Sequence, residues 1–320
     1  MPMFRNKCTT NTKWRLKRIS FLIVTLVALV VLYACYRLIA PSLQRDAWVH
    51  DLGFAQEEVH PLTFHFTGER SCPQVVIAAG NKEYNIIFDT GCSIGLLLTD
   101  LVEDKIPHTL LSQVESVNMD GSHRGWMKKI RIDEISVYQA AYEDIEAAIA
   151  DWKMISSAEF NGNISLAYFK NKAIALDYLG GKIAVSNRPI DYTKLDDTKY
   201  TVLPLLHSTD NGLWDLPFFQ AEWNGESVMV FLDTGKNYSF VQNPDCSFSS
   251  VGPPAGFTDI SIKIGKMVLA LKDMAQINDM SQAEGLPYPL RIELNSDQII
   301  KNKLLVTLDL ISQKIIFCKQ

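Results

Sequence analysis

Hydrophobic and polar positions follow a β pattern over most of the chain after residue 61. Short runs rich in Val, Ile, Phe and Tyr are separated by Gly, Asn and Asp, as in strands joined by tight turns. Two hairpins are predicted because the paired runs flank residues that favour two-residue turns. They comprise residues 75–77 and 84–88 around Gly80 and Asn81, and residues 218–223 and 227–232 around Asn224 and Gly225.

Two apolar strands end in the same three residues. Residues 86–91 read Ile-Ile-Phe-Asp-Thr-Gly, and residues 230–235 read Val-Phe-Leu-Asp-Thr-Gly. Each acid, Asp89 or Asp233, stands 16 residues after a proline and directly after a predicted hairpin. The chain is therefore interpreted as a duplicated unit that carries one carboxylate in each copy.

The repeat continues further along the chain. An apolar strand that ends in Asp is followed by a second strand whose Lys stands five residues later, first at residues 172–185 and again at residues 304–317. The first acids of the two units are 144 residues apart, whereas Asp177 and Asp309 are 132 apart. The second unit therefore lacks a segment of about one hairpin.

The sequence indicates which hairpin is missing. Residues 117–132 predict a strand, an Asp-Gly turn and a returning strand, but residues 252–264 show no comparable pair. One long loop on one unit suits a cleft covered from one side, and a solvated turn is the alternative. Residues 140–152 have a local preference for helix. Repeat symmetry with residues 268–274 favours a strand, which is our expectation.

The N-terminal segment predicts a membrane anchor. Residues 1–18 form a basic tail, and residues 19–36 form an uncharged apolar run. We expect an anchor over residues 19–40 with a cytoplasmic N-terminus, a stalk over residues 41–61, and the remainder outside the cytoplasm. A lipoprotein acylated at Cys35 and a cleaved signal peptide are the alternatives.

Charge and cysteine content narrow the function. The net charge of −5, without a basic cluster beyond the tail, argues against nucleic acid as a partner. Outside the cytoplasm, four cysteines could form disulfides or remain free thiols, and a Cys246–Cys318 bond is one candidate. His60 and His65 lack companions with metal-ligand spacing, so no metal site is expected. The four cysteines expected outside the cytoplasm are thus Cys246 and Cys318 together with Cys72 and Cys92.

The paired Asp-Thr-Gly strands, each followed by an apolar strand ending in Asp, resemble the pepsin-like and retropepsin-like aspartic proteases, in particular bacterial membrane-anchored aspartyl-protease-like proteins. The resemblance spans residues 62–318. It implies an all-β, bilobal fold of two duplicated barrel-like lobes, complete within one chain. The lobes would be residues 62–190 and 217–320, joined by a connection at 191–216.

The resemblance also implies a mechanism and a site. Asp89 and Asp233 would face each other, share one proton and activate a water for peptide hydrolysis, without a metal or organic cofactor. The expected substrate is a peptide or protein. Further residues are assigned to the site by the same resemblance: Thr90, Gly91, Thr234 and Gly235 as support, and Met119, Asp120, Gly121 and Trp126 as candidates for a flap.

Several residues depart from the family pattern. Cys92 and Lys236 follow the two triplets, where Ser, Thr or Ala is usual. A Lys236 ammonium turned into the cleft would favour the doubly ionised pair, whereas one turned to solvent would be harmless. Ser165 and Asn295 stand where a supporting glycine is expected. A catalytically weak or inactive pseudoprotease that acts as a membrane-anchored peptide-binding or sensory module is therefore the alternative function.

Overall fold

The computed structural model describes most of the chain: residues 25–31, 33, 46–65, 71–117, 123–138, 140–150, 160–210, 215–236, 238–245, 256–278, 280 and 282–320. Internal contacts divide the chain into two units, Met1–His50 and Asp51–Gln320. In the first unit, residues 25–31 and 33 are helical, and helix α1 (Ala47–Asp51) starts near its end.

The predicted anchor over residues 19–40 falls largely outside the described residues and stays a prediction. Among the residues that are described, none of the helices combines the length and the apolarity needed to cross a membrane.

The second unit is built almost entirely from strands. Its first half contains β1 (Val59–Pro61), β2 (Thr63–Phe64), β3 (Pro73–Ala79), β4 (Lys82–Phe88), β5 (Leu96–Thr99), β6 (Thr109–Val117), β7 (His123–Val137), β8 (Ala140–Ala150), β9 (Gly162–Ile164), β10 (Ala173–Asp177) and β11 (Lys182–Ser186).

The second half of this unit repeats the arrangement, with a short α-helix at the place where the first half has the 3-10 helix Leu166–Phe169 after β9. Its elements are β12 (Tyr200–Pro204), β13 (Phe218–Trp223), β14 (Glu226–Asp233), β15 (Phe240–Gln242), β16 (Phe257–Ile264), β17 (Met267–Ile277), β18 (Leu290–Asn295), α2 (Ser296–Lys301), β19 (Leu304–Asp309) and β20 (Lys314–Lys319).

The two halves form barrels of matching topology. Strands β13-β14-β18-β15-β17-β16 form a closed barrel. In the first half, a β3–β7 pairing closes β3-β4-β9-β5-β8-β7 into a ring in the same order, with β2 and β6 outside it. Even the parallel pairs correspond, since β9 runs parallel to β4 as β18 does to β14. The expected all-β architecture with two barrel-like lobes is confirmed at this level.

A six-stranded sheet joins the lobes, in the order β1-β11-β10-β19-β20-β12. Its central pair, β10 and β19, is antiparallel, with Ala175 opposite Thr307. Every residue of β10 and β19 is buried. Their near-continuous apolar sequence fits strands that are covered on both faces. The repeated strand pairs predicted at residues 172–185 and 304–317 are the inner four strands of this sheet.

Burial alternates along strands with one solvated face. In β16 and β17, inward residues such as Ile262 and Leu269 are buried, whereas their neighbours along the strand are exposed. Buried side chains of both barrels and of the six-stranded sheet form one continuous hydrophobic core. The lobes are therefore held together by shared apolar packing as well as by strand pairing.

Turn chemistry produces both predicted hairpins. β3 pairs with β4 and β13 pairs with β14, both antiparallel. Asn224 and Gly225 have φ values of 52° and 80°, which a type I′ turn requires at both central positions. Residues 140–150 form a strand, as repeat symmetry predicted. Pairing with β5 and β7 outweighs their local preference for helix.

The predicted linkers contain ordered structure, contrary to the sequence interpretation. Within the expected stalk at residues 41–61, Val59–Pro61 is strand β1, which pairs with β11. Within the expected connection at residues 191–216, Tyr200–Pro204 is strand β12, which pairs with β20. Both segments are short edge strands whose partners lie far away in sequence, so no local pattern marks them.

Of the two alternatives for the cysteines, the described residues show thiols. Cys72, Cys92 and Cys318 are buried thiols that take part in no disulfide. The candidate Cys246–Cys318 disulfide is therefore not formed, and Cys246 itself lies outside the described residues.

The predicted additional hairpin belongs to the first lobe. β6 pairs with β7 along most of its length, and the turn at residues 118–122 lies outside the described residues. In the described part of the second lobe, β16 occupies the position of β7 and has no strand equivalent to β6 beside it.

Candidate active site

The two Asp-Thr-Gly loops meet at the centre of the second unit. Strand β4 ends just before Asp89, and strand β14 ends at Asp233. The Thr90 N–H donates to Thr234 Oγ1 over 3.1 Å, and the Thr234 N–H donates to Thr90 Oγ1 over 3.0 Å. Each hydroxyl in turn donates to a carbonyl across the junction, Thr90 to Leu232 (2.6 Å) and Thr234 to Phe88 (2.5 Å). These four buried bonds are related by the pseudo-twofold symmetry of the lobes.

Each glycine of a triplet packs against the carboxyl of the other triplet. A Cβ on Gly91 would lie 2.5 Å from Asp233 Cγ, and a Cβ on Gly235 would lie closer still to Asp89 Cγ. No side chain larger than hydrogen fits either place without displacing a carboxyl. Each glycine N–H also donates to the carboxyl of its own triplet, over 2.9 Å in both loops. The loops therefore hold the two carboxyls together.

Both carboxyls are buried. Asp89 is 9% exposed and Asp233 is 3% exposed. Burial is the main cause that raises the pKa of Asp89 well above its usual range, and the neighbouring Asp233 raises it further. The N–H of Gly91 and the amide of Asn163 oppose this shift because they stabilise the ionised form. The paired acids can therefore hold one proton between them.

The parallel strands β9 and β18 bring a further residue beside each acid. In register, Ile87 lies beside Asn163, and Phe231 lies beside Glu293. The side-chain amide of Asn163 donates to Asp89 Oδ2. In the other lobe, Glu293 does not contact Asp233 by a hydrogen bond of this kind. Instead it accepts one from Lys236.

Lys236 turns toward the acids. Its Nζ lies 2.8 Å from Glu293 Oε1 and 3.5 Å from Asp233 Oδ2, and 5.6 Å from the centre of the Phe240 ring. The side chain is 47% exposed, so its stem faces solvent while the ammonium contacts two buried carboxyls. Of the two orientations considered from the sequence, the structure has the one in which the Lys236 ammonium points to the two acids.

The charges of this group compensate one another. Burial opposes the charged form of Lys236, but Glu293 and Asp233 outweigh it and raise the pKa of the amine. Burial raises the pKa of Glu293, and the Lys236 ammonium partly offsets this shift. The Glu293 side chain is 10% exposed and would be costly to ionise without its partner.

The two positions where glycine was expected carry buried, hydrogen-bonded side chains. Ser165 Oγ accepts from the N–H of Ala167, and the Ser165 N–H donates to the carbonyl of Gly95. The Asn295 amide donates to the carbonyl of Tyr238. Both residues therefore fix the backbone that supports the acidic loops, without the glycine that the family pattern led us to expect.

One of the flap candidates, Trp126, lies among the described residues. Trp126 lies on β7, is 63% exposed, and contacts the ring of His123. Its neighbour Met127 points to the opposite side and packs against the small cluster that contains Cys92. Met119, Asp120 and Gly121 lie outside the described residues, so their role as a flap stays a prediction.

Cys72 is buried, and His60 and His65 each pack against an aromatic ring. Burial, with additional contributions from Asp89 and Asp233, raises the pKa of Cys72 to about 12, so the thiol is protonated at neutral pH. His60 stacks on Tyr138 with ring centres 4.1 Å apart, and His65 packs on Phe160. Within the described ranges, no three His, Cys, Asp or Glu residues are grouped so as to hold a metal ion.

Asn163 and Glu293 were not recognised as site residues from the sequence. Each stands two positions before a residue where glycine was expected, and the two occupy equivalent places in the repeat. Since both short strands run parallel to an acid-bearing strand, aligning the repeats through these positions would have indicated them. The pairing of Glu293 with Lys236 could not have been found in this way, because the first lobe has Asn163 and Cys92 instead.

Fold and site together define a two-lobed, mainly β protein with a buried pair of aspartates contributed by both lobes. A scan against known protein families finds no match, and a search of curated proteins finds none either. Among solved structures, the chain is similar to basic 7S globulin from soybean, with 12% identity and a TM-score of 0.48. That alignment covers 82% of this chain and 94% of the globulin.

The close packing of the glycines predicts that neither tolerates a methyl group. We expect Gly91→Ala and Gly235→Ala each to lower the free energy of unfolding by about 1–3 kcal/mol, the usual effect of overpacking. Thermal unfolding of the purified full-length chain measures this. Gly256→Ala is the control, since its Cβ would meet only the flexible amide of Gln276 at 3.5 Å. Equal stability of Gly91→Ala and Gly256→Ala would contradict the packing argument.

Because the pKa of Asp89 is raised, replacing this acid should stabilise the fold by an amount that depends on pH. Between the unfolded pKa of about 3.9 and the higher folded value, the folded state binds more protons, so stability falls as pH rises. Asp89→Asn abolishes that loss. The gain in stability of this variant over the parent should be small near pH 3.5 and should grow toward pH 7. Each kcal/mol of gain should raise the Tm by about 2–4 °C. The exposed Asp104→Asn serves as control, and a difference that stays constant with pH would refute this account.

Proposed function

We propose that this chain is an aspartic endopeptidase of the pepsin-like type, with Asp89 and Asp233 as the catalytic pair. One observation carries the proposal: each acid lies against the glycine of the opposite Asp-Thr-Gly loop, so both carboxyls converge on one place. The reciprocal threonine bonds support it because they fix the loops without occupying the outer carboxyl oxygens. A structural turn would have no need for this reciprocity.

The chemistry follows from one shared proton. The ionised carboxyl accepts a proton from a water as the water oxygen bonds to the peptide carbonyl carbon, and the protonated carboxyl donates to the carbonyl oxygen. The result is a tetrahedral diol that carries the proton of the first acid, while the second acid carries a proton from water, so the two acids have exchanged protonation states. On collapse, the second acid gives its proton to the leaving nitrogen, the C–N bond breaks, and a diol hydroxyl returns a proton to the first acid, which regenerates the pair. Substrates are peptides or proteins in an extended, accessible conformation.

A second candidate function, binding of peptides without hydrolysis, is favoured by one contact. Lys236 Nζ lies 3.5 Å from Asp233 Oδ2, and a positive charge there stabilises an ionised dyad that has no proton to donate. Glu293 weighs against this function because its negative charge, 2.8 Å from the same ammonium, offsets that effect. Hydrolysis is therefore the function we put first.

Cleavage of unstructured peptides tests the proposal. The purified full-length chain should cleave them at acidic to mildly acidic pH, and a statine-type transition-state analogue should block the reaction. Asp89→Asn and Asp233→Asn should each reduce kcat by roughly 10²–10⁴-fold or more, the usual contribution of an acid–base group. Asp104→Asn should leave the rate unchanged. Undiminished cleavage in either dyad variant would eliminate the mechanism, and an inert parent that binds the analogue would favour the binding function.

We further propose that the chain is a single-pass membrane protein with its N-terminus in the cytoplasm and residues after 40 outside it. The support is the uncharged run at residues 19–36 after a basic tail. An anchor at Cys35 through a lipid is the alternative.

Membrane extraction distinguishes these anchors. The full-length chain should remain with membranes after alkaline carbonate washing, and so should Cys35→Ser. Leu26→Arg combined with Val30→Arg should release it, since each charge at mid-membrane costs about 2.5–3.5 kcal/mol. Release of Cys35→Ser into the wash would instead establish the lipid anchor, and a soluble parent chain would remove the membrane proposal.

A further inference from the structure

The surroundings of the two acids differ at positions that the duplication makes equivalent. Next to Asp89 the equivalent positions hold Cys92 and Asn163, which are both neutral. Next to Asp233 they hold Lys236 and Glu293, which form an ion pair. The backbone around the acids is symmetric, and these four side chains make the surroundings of the two acids electrostatically different.

We propose that Lys236, held in place by Glu293, keeps Asp233 ionised and thereby assigns the shared proton to Asp89. This inference rests on the proposed function, whose mechanism it makes specific. Asp233 is then the base that takes the proton from water, and Asp89 is the acid that donates to the peptide carbonyl oxygen. Lys236 and Glu293 are positioning residues, because they act through Asp233 and not on the substrate.

Geometry supports this assignment on the Asp233 side. The ammonium lies 3.5 Å from Asp233 Oδ2, within the range where an opposite charge stabilises a carboxylate. Glu293 restrains the ammonium at 2.8 Å and accepts a weaker contact from Asn295 at 3.5 Å. Asp233 is the second carboxylate near the ammonium, so the positive charge has a partner at the acids besides Glu293.

The contacts of Asp89 are compatible with a protonated carboxyl. Its neighbours are the N–H of Gly91 and the amide of Asn163, which are uncharged donors. A protonated carboxyl oxygen keeps lone pairs, so it can accept from the amide and donate to Asp233 at the same time. The raised pKa of Asp89, caused first by burial and then by Asp233, agrees with this state.

Other ionisable groups also interact electrostatically with the two acids. The thiols of Cys72 and Cys92 and the phenol of Tyr178 are electrostatically coupled to one or both acids. Burial raises the pKa of all three, so they are neutral across the working range. The Asp215 carboxyl also contributes to the raised pKa of Cys92. Lys236 is thus the cation that distinguishes Asp233 from Asp89 among these groups.

Charge variants of the ion pair give opposite expectations for the pH profile of kcat/KM. Lys236→Met removes the positive charge and leaves Glu293 uncompensated, so both limbs of the profile should move to higher pH by about one unit. This is the low end of the usual effect of a nearby charge, because the lysine is half exposed. Glu293→Gln leaves the ammonium uncompensated, so both limbs should move to lower pH.

The double variant Lys236→Met/Glu293→Gln is the matched control. It removes one charge of each sign, so its limbs should return toward those of the parent. A merely structural pair would lower the rate and the Tm at every pH without moving the limbs. Unmoved limbs in both single variants, with folding intact, would overturn the proposal.

A second measurement keeps the inference testable if the chain cleaves no peptide. Carbon-13 NMR of aspartate side-chain carboxyls, assigned with Asp89→Asn and Asp233→Asn, follows the protonation of the full-length chain directly. When the pair holds one proton, we expect the carboxyl signal of Asp89 to be that of the protonated form and the signal of Asp233 to be that of the ionised form, with this order less pronounced in Lys236→Met. The reverse order would overturn the proton assignment whether or not the chain is an enzyme. Absence of cleavage with the expected order would overturn only the proposed function.

Discussion

The reciprocal hydrogen bonds between Thr90 and Thr234 are the contacts on which the site depends. These two bonds join residues 144 positions apart in the sequence. The two threonine hydroxyls add one bond each to a carbonyl of the other lobe, and all four bonds are buried between the lobes. Each contributes a net stabilisation of only about 0.5–1.5 kcal/mol, but leaving any one donor unpaired would cost more. The threonines therefore fix one relative position of the two loops. The glycines and carboxyls follow, because each is packed against its counterpart in that position.

The duplicated backbone supplies symmetry, and the side chains remove it. The two barrels have the same strand order and place their acids in equivalent backbone surroundings. If the neighbouring side chains were equivalent as well, the shared proton would be equally stable on either acid. Neutral groups border Asp89 and an ion pair borders Asp233, so the two states are no longer equal in energy. The backbone thus creates the pair, and the divergence of Lys236 and Glu293 from their counterparts decides how it is charged.

Features set by local chemistry could be predicted from the sequence. The hairpin turns, such as Asn224-Gly225, and the repeated strand pairs of the central sheet follow from turn preferences and apolar patterning. The strand Ala140–Ala150 could be predicted only through the repeat, because its own composition favours helix. Features set by distant partners could not be predicted: β1 and β12 are short edges of a sheet, and β9 has just three residues. Their structure depends on strands elsewhere in the chain.

The site shows the same division between local and distant causes. The two acids, threonines and glycines form a pattern visible in six residues, and the structure places them together. The orientation of Lys236 depends on Glu293, 57 positions away, which in turn depends on the parallel pairing of β18 with β14. A charged side chain after a triplet is therefore ambiguous in the sequence, and it acquires a role only when its counterion is located.

A rigid polar foundation explains how one lysine can influence a pair of acids. Beneath the loops, Tyr178 and Ser296 share a hydrogen bond of 2.8 Å, and Ser296 donates to the carbonyl of Thr234. These side chains are buried and hydrogen-bonded, so they cannot easily reorient to screen a nearby charge. Electrostatic interactions at this place are therefore stronger than in water. The same burial disfavours ionising both acids and destabilises the fold as pH rises. The continuous core shared by the lobes offsets that destabilisation through its apolar burial.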